Sequence, residues 1–372
     1  MIILHTHSQE MRPNCNDPIM NFLDIQSGVK DRSNSWRNVL AIGVLVVTLG
    51  GVGWSFASSF SSGSVADFFV HVAPGGFPLA EDKAVVKAGG DITVAPINVP
   101  QPPQLIGDLV PASTFAAEGL LVKDVASGAL LYEKHAYDPR PLASITKLMS
   151  VLVILEKSPD WATSTIVVSD DVPDTHMYAG DTHTLEELWQ AALIGSSNKA
   201  ILTLADAVGW PRDAFIERMN QKALELGMRD THFTEPSGLD PGNVSTPSDV
   251  DILLQEVLKH EKIQKTLLMK EVQLYSKERD SQHHIWSTDW LLLGWIQHGF
   301  ADILGGKTGY IPESGYNFTA RVADSLGHQL DIVVLGAPTH EERFTVLRDA
   351  GEWAFQNYTW GDQTSSSTEG IL

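Results

Sequence analysis

The stretch Pro141-Leu142-Ala143-Ser144-Ile145-Thr146-Lys147-Leu148-Met149 decides how this chain is read. Ile145, Leu148, Met149 and Leu152 recur at the i, i+3, i+4, i+7 spacing of a core-facing helix. Ser144 stands at the mouth of that helix, and Lys147 follows one turn later. Residues three apart share a helix face, so the hydroxyl and the ammonium can meet in one cleft. A lysine there loses hydration, its pKa falls, and it becomes a base toward the hydroxyl. Taken alone, the pair also reads as a helix N-cap beside a solvated lysine, because S-x-x-K recurs by chance in many chains. The decision has to come from the rest of the sequence.

The 372 residues leave room for one large or two ordinary domains, and a hydrophobic fraction of 43% is enough for a packed core. A formal charge of -20 removes the basic footprint of a nucleic-acid binder, so no nucleic-acid partner is expected. Acids (Glu10, Asp17, Asp24, Asp31) and bases (Arg12, Lys30, Arg32, Arg37) balance over residues 1–37, which places the acidic excess beyond them. The single cysteine, Cys15, rules out an intrachain disulfide and a cysteine metal cluster. No cofactor or metal is expected.

Residues 1–37 are polar and aperiodic and read as a cytoplasmic tail. Val39 to Ala57 is uncharged and long enough to cross a bilayer, which sets a transmembrane helix at 38–57. Lys30, Arg32 and Arg37 precede it and no Lys or Arg follows until Lys83, so the remainder is placed outside the cell membrane, single-pass. A cleaved signal peptide ending near Ser55-Phe56-Ala57 is the rival reading, with an unusually long n-region and h-region. Residues 58–104 are rich in Ser, Gly and Pro and read as a spacer.

A folded domain is expected over 105–360. Phe115 to Val122 and Ala129 to Tyr132 predict a hairpin turned by Asp124, Ser127 and Gly128. Thr165 to Ser169 is a short β-like run. Helices are expected over Leu185–Leu193 (capping box Thr184 and Glu187), Asn198–Val208, Asp213–Leu226 (ended by Gly227), Ser248–His260 and Glu341–Phe355. Phe318 to Ala323 and Leu330 to Gly336 are strand-like, with a turn at Gly327. From Trp360 the chain reads as a polar tail, 361–372 by the domain bounds. Strands, then helices, then strands imply an α+β domain whose antiparallel sheet is built from both chain ends, with a helical insertion between.

Two further short motifs follow the serine. Ser196-Ser197-Asn198 opens a buried helix, and Lys307-Thr308-Gly309 precedes Tyr310. The first lies 52 positions beyond Ser144 and the second 111 beyond Ser196. With these motifs the chain resembles the serine D,D-peptidases and β-lactamases, whose set is S-x-x-K, S-D-N and K-T-G. Gly128-Ala129-Leu130-Leu131-Tyr132-Glu133-Lys134, Leu226-Gly227-Met228, Gly238-Leu239-Asp240, Ser245-Thr246-Pro247-Ser248-Asp249 and Ser314-Gly315-Tyr316-Asn317 extend the likeness over roughly residues 112–355. It is nearest to the D-alanyl-D-alanine carboxypeptidases of the penicillin-binding protein 5 type.

The resemblance implies a β-lactamase/transpeptidase-like fold with the helical insertion carrying the middle motif. It implies that Ser144 attacks the terminal D-Ala-D-Ala peptide bond of a peptidoglycan stem peptide and that Lys147 takes its proton. Ser196 and Asn198 would bridge Lys147 and the substrate. Lys307 would hold the substrate carboxylate, with Thr308 adding a hydrogen bond and Gly309 allowing close approach. The backbone N–H groups of Ser144 and Tyr310 would form the oxyanion hole. β-Lactams would be covalent inhibitors, and the N-terminal helix would hold the domain at the membrane. D,D-endopeptidase, β-lactamase and a non-catalytic wall-binding module remain open alternatives on this scaffold.

Other readings fall away. A P-loop ending at Gly306-Lys307-Thr308 needs glycine at position 301, where Ala301 stands. There is no G-x-S-x-G elbow, no H-E-x-x-H and no convincing E-x-x-L-N. His176 and His183 read as loop histidines, His283-His284 as a polar pair near a strand edge, and Trp286, Trp290 and Trp295 as core. Departures from the family pattern are Ser197 and Lys199 around the middle motif and Ser287-Thr288-Asp289 in place of Asn-Thr-Asn. The C-terminal β-domain and amphipathic anchor common in the group are not expected after the closing helix.

Overall fold

The structure, a computed structural model, describes residues 100–169 and 171–361. The tail 1–37, the span at 38–57 and nearly all of the spacer lie outside the described residues. Among the described residues no helix is long and apolar enough to cross a membrane.

In chain order the elements begin with β1 (Gln104–Leu105), β2 (Gly119–Asp124), β3 (Leu130–Lys134) and β4 (Arg140–Pro141). A single 3-10 turn, Ala143–Ile145, leads into α1 (Thr146–Glu156). β5 (Ser164–Ile166), β6 (Thr182–Thr184), α2 (Leu185–Ile194), α3 (Asn198–Ala207) and α4 (Arg212–Leu226) follow. Then come β7 (Val244–Ser245), α5 (Pro247–Val257), α6 (Glu261–Leu267), β8 (Glu271–Ser276) and β9 (Ser281–Trp286). β10 (Asp302–Ile311), β11 (Gly315–Ala323), β12 (Gln329–Ala337), α7 (Glu342–Asn357) and β13 (Tyr358–Thr359) close the domain.

The five-stranded sheet runs β10-β11-β12-β2-β3 and every pairing is antiparallel. β12 from the C-terminal part lies directly beside β2 from the N-terminal part, so both chain ends build the sheet. Alternation sorts the strand residues between two cores. Leu121, Val333 and Leu335 pack with α1, α2, α3 and α5 on one face. Leu120, Val122, Ile332, Val334 and Phe318 meet Phe344, Leu347 and Ala350 of α7 on the other. Because both faces are covered, these strands read as unbroken apolar runs.

Local signals explain the helix ends. Thr184 accepts from the Glu187 N–H and the Glu187 carboxylate accepts back from Thr184, which makes the capping box. Gly227 ends α4 in the left-handed region, at φ 88°. Gly128 turns the first hairpin at φ 72°, with its N–H on Asp124 O.

Three expectations need correction. Trp360 is not part of a tail: it is buried, its Nε1 donates to Asp124 Oδ1 at 2.9 Å, and it stacks on His328. His183 lies in β6 and is buried, so it is not a loop residue, whereas His176 does lie in a loop, packed against Gly195. Trp286 and Trp295 are 40% and 49% exposed rather than core. The alternation of β9 turns Ile285 inward and Trp286 outward, and the turn at Gly294, at φ 75°, carries Trp295 outward.

Candidate active site

The hydroxyl of Ser144 is not spent on capping: neither the 3-10 turn nor α1 has a side-chain cap. Lys147 Nζ donates to Ser144 Oγ at 2.8 Å, to Asn198 Oδ1 at 2.7 Å and to Ser237 O at 2.7 Å. Those bonds account for all three ammonium protons. Lys147 is fully buried, and desolvation brings its pKa down to about 8 against the opposing pull of Glu235 and Asp174.

Two turns present the reacting groups in a left-handed backbone conformation that non-glycine residues rarely adopt. Ala143, at φ 49°, precedes Ser144 in the 3-10 turn, and Ser196, at φ 61°, lies just before α3. Such residues cost on the order of 1–3 kcal/mol each and persist where surrounding contacts hold them. Here the contacts are specific. Asn317 Nδ2 of β11 donates to Pro141 O and Leu142 O at 3.1 and 3.0 Å, pinning the approach to Ser144. Gly238 lies so close that a Cβ on it would sit 2.0 Å from Ala143 O.

The middle motif divides its labour. Asn198 accepts from Lys147 and donates through Nδ2 to Pro173 O at 2.7 Å. Ser196 instead meets the third motif: its Oγ accepts from Lys307 Nζ at 2.8 Å. The expected bridge from both residues to Lys147 is therefore made by Asn198. Ser197 caps α3 through Ala200 N.

β10 is an edge of the main sheet and lies against the serine turn. A Cβ on Gly309 would come within 2.8 Å of Leu142 O and 3.1 Å of Ser144 N, so only glycine allows this approach. It brings Gly309, the residue before Tyr310, against the Ser144 peptide. Lys307 is buried, and desolvation, with Lys147 and Arg343 nearby, holds its pKa well below the ordinary value. Thr308 Oγ1 shares a 2.6 Å hydrogen bond with Thr288 Oγ1. Tyr310 stacks on Tyr316 with ring centroids 4.2 Å apart.

Sequence reasoning did not find the supporting carboxylates Asp174 and Glu235. Asp174 accepts from Ser197 Oγ at 2.6 Å and Lys199 N at 2.7 Å, a negative charge at the positive end of α3. Glu235 accepts from Ser237 N, Gly238 N and Asn243 Nδ2, fixing the loop whose carbonyl holds Lys147. Buried Asp289 is raised to about 6 by desolvation and takes the N–H groups of Leu291 and Leu292. Arg343 lies behind β10, its Nη1 3.4 Å from Gly309 O, with burial drawing it down to about 9. Asp174 and Glu235 sit in loops without periodicity, and only a Glu-Pro-Ser-Gly turn hinted at the second. Among the described residues no cluster suited to a metal ion occurs.

Three buried-to-half-buried groups thus converge: a serine hydroxyl, a lysine poised to lose its proton, and a second lysine at a strand edge. The solved structures with this architecture include penicillin-binding protein D2 of Listeria monocytogenes with cefotaxime bound. It is 30% identical, with a TM-score of 0.57, over 67% of this chain and 99% of that one. The Streptomyces K15 DD-transpeptidase, 24% identical with a TM-score of 0.60 over 66% of this chain and 100% of that one, shares the fold. Among curated relatives, the D-alanyl-D-alanine carboxypeptidase DacF of Bacillus subtilis is 30% identical over 62% of this chain and 60% of its own length. A D-alanyl-D-alanine endopeptidase of Haemophilus influenzae is 33% identical over 54% of this chain and 68% of its own. This chain therefore spans less than two thirds of the carboxypeptidase DacF. Residues 108–339 match the family described as D-alanyl-D-alanine carboxypeptidase, and the chain belongs to that family.

Proposed function

We propose that this chain is a serine D,D-carboxypeptidase that removes the terminal D-alanine from peptidoglycan pentapeptides through an acyl-enzyme. The observation that carries the reading is the 2.8 Å contact between Ser144 Oγ and a buried Lys147. In its neutral form Lys147 keeps two N–H groups for Asn198 and Ser237 and turns its lone pair to Ser144. The Ser144 proton then moves to Lys147 as the Ser144 C–O bond forms on the substrate carbonyl. The backbone N–H groups of Ser144 and Tyr310 receive the oxyanion. As the C–N bond breaks, the proton leaves on the D-alanine amine, with Ser196 as relay. Water then hydrolyses the ester and frees Ser144. Lys307 holds the terminal carboxylate, with Thr308 as the second donor.

β-Lactams would acylate the same serine, a reading supported by the cefotaxime complex of the Listeria protein. The run at 38–57 would anchor a domain at 105–360 on the outer side of a bacterial cell membrane, with residues 361–372 as a tail. The endopeptidase relative makes crosslink cleavage the second reading. Mass spectrometry of products from a pentapeptide and from a crosslinked dimer tests both. Release of D-alanine from the pentapeptide with Ser144→Ala inactive supports the carboxypeptidase. Cleavage of the dimer alone moves the assignment to endopeptidase.

A further inference from the structure

An unbroken series of ring contacts leads away from the site. Tyr310 stacks on Tyr316 at 4.2 Å, and Tyr316 meets His340 at 5.8 Å. His340 meets Trp290 at 4.2 Å, Trp290 meets Trp295 at 5.6 Å, and Trp295 meets Trp286 at 6.4 Å. The far end is open: Trp286 and Trp295 are among the exposed large hydrophobic side chains. The middle is anchored, because Trp290 stacks on Phe344 of α7 at an interplanar angle of 8°.

The loop bearing Trp290 and Trp295 is also tied to the site and held in shape. It contains Thr288, bonded to Thr308 of the third motif. The Asp289 carboxylate takes two N–H groups of its first turn, and Trp295 N donates to Trp290 O at 3.0 Å. The two exposed rings are thus displayed at a fixed place relative to Lys307.

We propose that Trp286 and Trp295 form a saccharide-binding subsite, continuous with the active site through this aromatic belt, which receives the glycan strand bearing the stem peptide. The inference rests on the carboxypeptidase reading for its choice of ligand. A pyranose presents a face of C–H groups with partial positive charge, which matches the negative face of an indole ring. Two tilted rings side by side offer faces to successive sugars while leaving the hydroxyl rim in water. A neutral glycan also suits a chain of formal charge -20, whereas an anionic lipid surface would repel it. His284, 4.5 Å from Trp286 and paired with Glu271 at 2.9 Å, adds a polar edge for hydroxyl groups.

The test is calorimetric titration of the full chain with peptide-free glycan, using N-acetylglucosamine tetramer as the probe. The expected result is saturable binding by the wild type that weakens about tenfold or more in W286A/W295A. W286F/W295F, which keeps ring faces, should retain most of it. Unchanged far-ultraviolet circular dichroism shows that the alanine variant is folded, and the single variants W286A and W295A should each give a partial loss. No binding by the wild type, or equal binding by wild type and W286A/W295A, overturns the proposal. Flotation with anionic vesicles that depends on these two rings, without glycan binding, overturns it as well. Fluorescent penicillin labelling of Ser144 in the same preparations reports on the catalytic reading separately. Glycan binding without labelling leaves the subsite standing and removes the carboxypeptidase.

Discussion

Ser144 Oγ lies 2.8 Å from Lys147 Nζ, one helical turn apart and beneath a surface that buries the amine completely. Only the neutral amine accepts the serine proton, and its pKa is about 8. Acylation should therefore rise as pH increases through about 8 and level off above it, provided the substrate still binds. Stopped-flow acylation by a chromogenic β-lactam checks this. Lys147→Ala should lose on the order of a hundredfold to ten-thousandfold in acylation rate, the usual contribution of a positioned base.

Glu235 is the strongest charge holding the proton on Lys147. Removing its charge removes that support, so Glu235→Gln should move the acid limb of the acylation profile to lower pH. The amide keeps one of the two acceptor oxygens, for the Gly238 N–H and Asn243 Nδ2, and loses the one on the Ser237 N–H, so circular dichroism accompanies the kinetics to show that the fold survives. An unmoved limb means that Glu235 only shapes its loop.

Lys307 is held well below its ordinary pKa while it faces Lys147 and Arg343. A substrate carboxylate reverses that balance and raises it. Binding should therefore take up protons, and affinity should strengthen as pH falls through the pKa of the free enzyme. Calorimetry of a D-alanyl peptide with Ser144→Ala, in buffers of different ionisation enthalpy, measures the uptake directly.

Gly309 separates β10 from the serine turn by less than a methyl group needs. Gly309→Ala should cost about 1–3 kcal/mol through forced displacement of Leu142 and Ala143. It should also slow acylation by moving the Tyr310 N–H away from the reacting carbonyl. Urea unfolding and acylation rates together separate the two effects.

Much of this is legible because the proposed catalytic groups lie in elements with a clear sequence pattern. Ser144 and Lys147 share one apolar-periodic helix start, Asn198 opens another, and Gly309 lies in a strand. The supporting shell was not legible. Asp174 reaches the Lys199 N–H far along the chain, which no spacing encodes, and Glu235 bonds Ser237, Gly238 and Asn243 within an irregular loop that carries no period. The β8–β9 hairpin was missed because its outward residues, such as Gln273, His284 and Trp286, mix polar and aromatic types and blur the alternation. Exposure of Trp286 and Trp295 depends on strand parity and one glycine turn, whereas composition favours the core for tryptophan. Trp360 reads as tail in the sequence because its partners, Asp124 and His328, lie far back in the chain.

The central claim is that Ser144 becomes esterified. Mass spectrometry of the full chain after brief exposure to benzylpenicillin, followed by peptide mapping, tests it most directly. The account predicts one adduct of the antibiotic's mass, located on the peptide carrying Ser144 and absent from Ser144→Ala. An adduct elsewhere, or an equal adduct in Ser144→Ala, would contradict it.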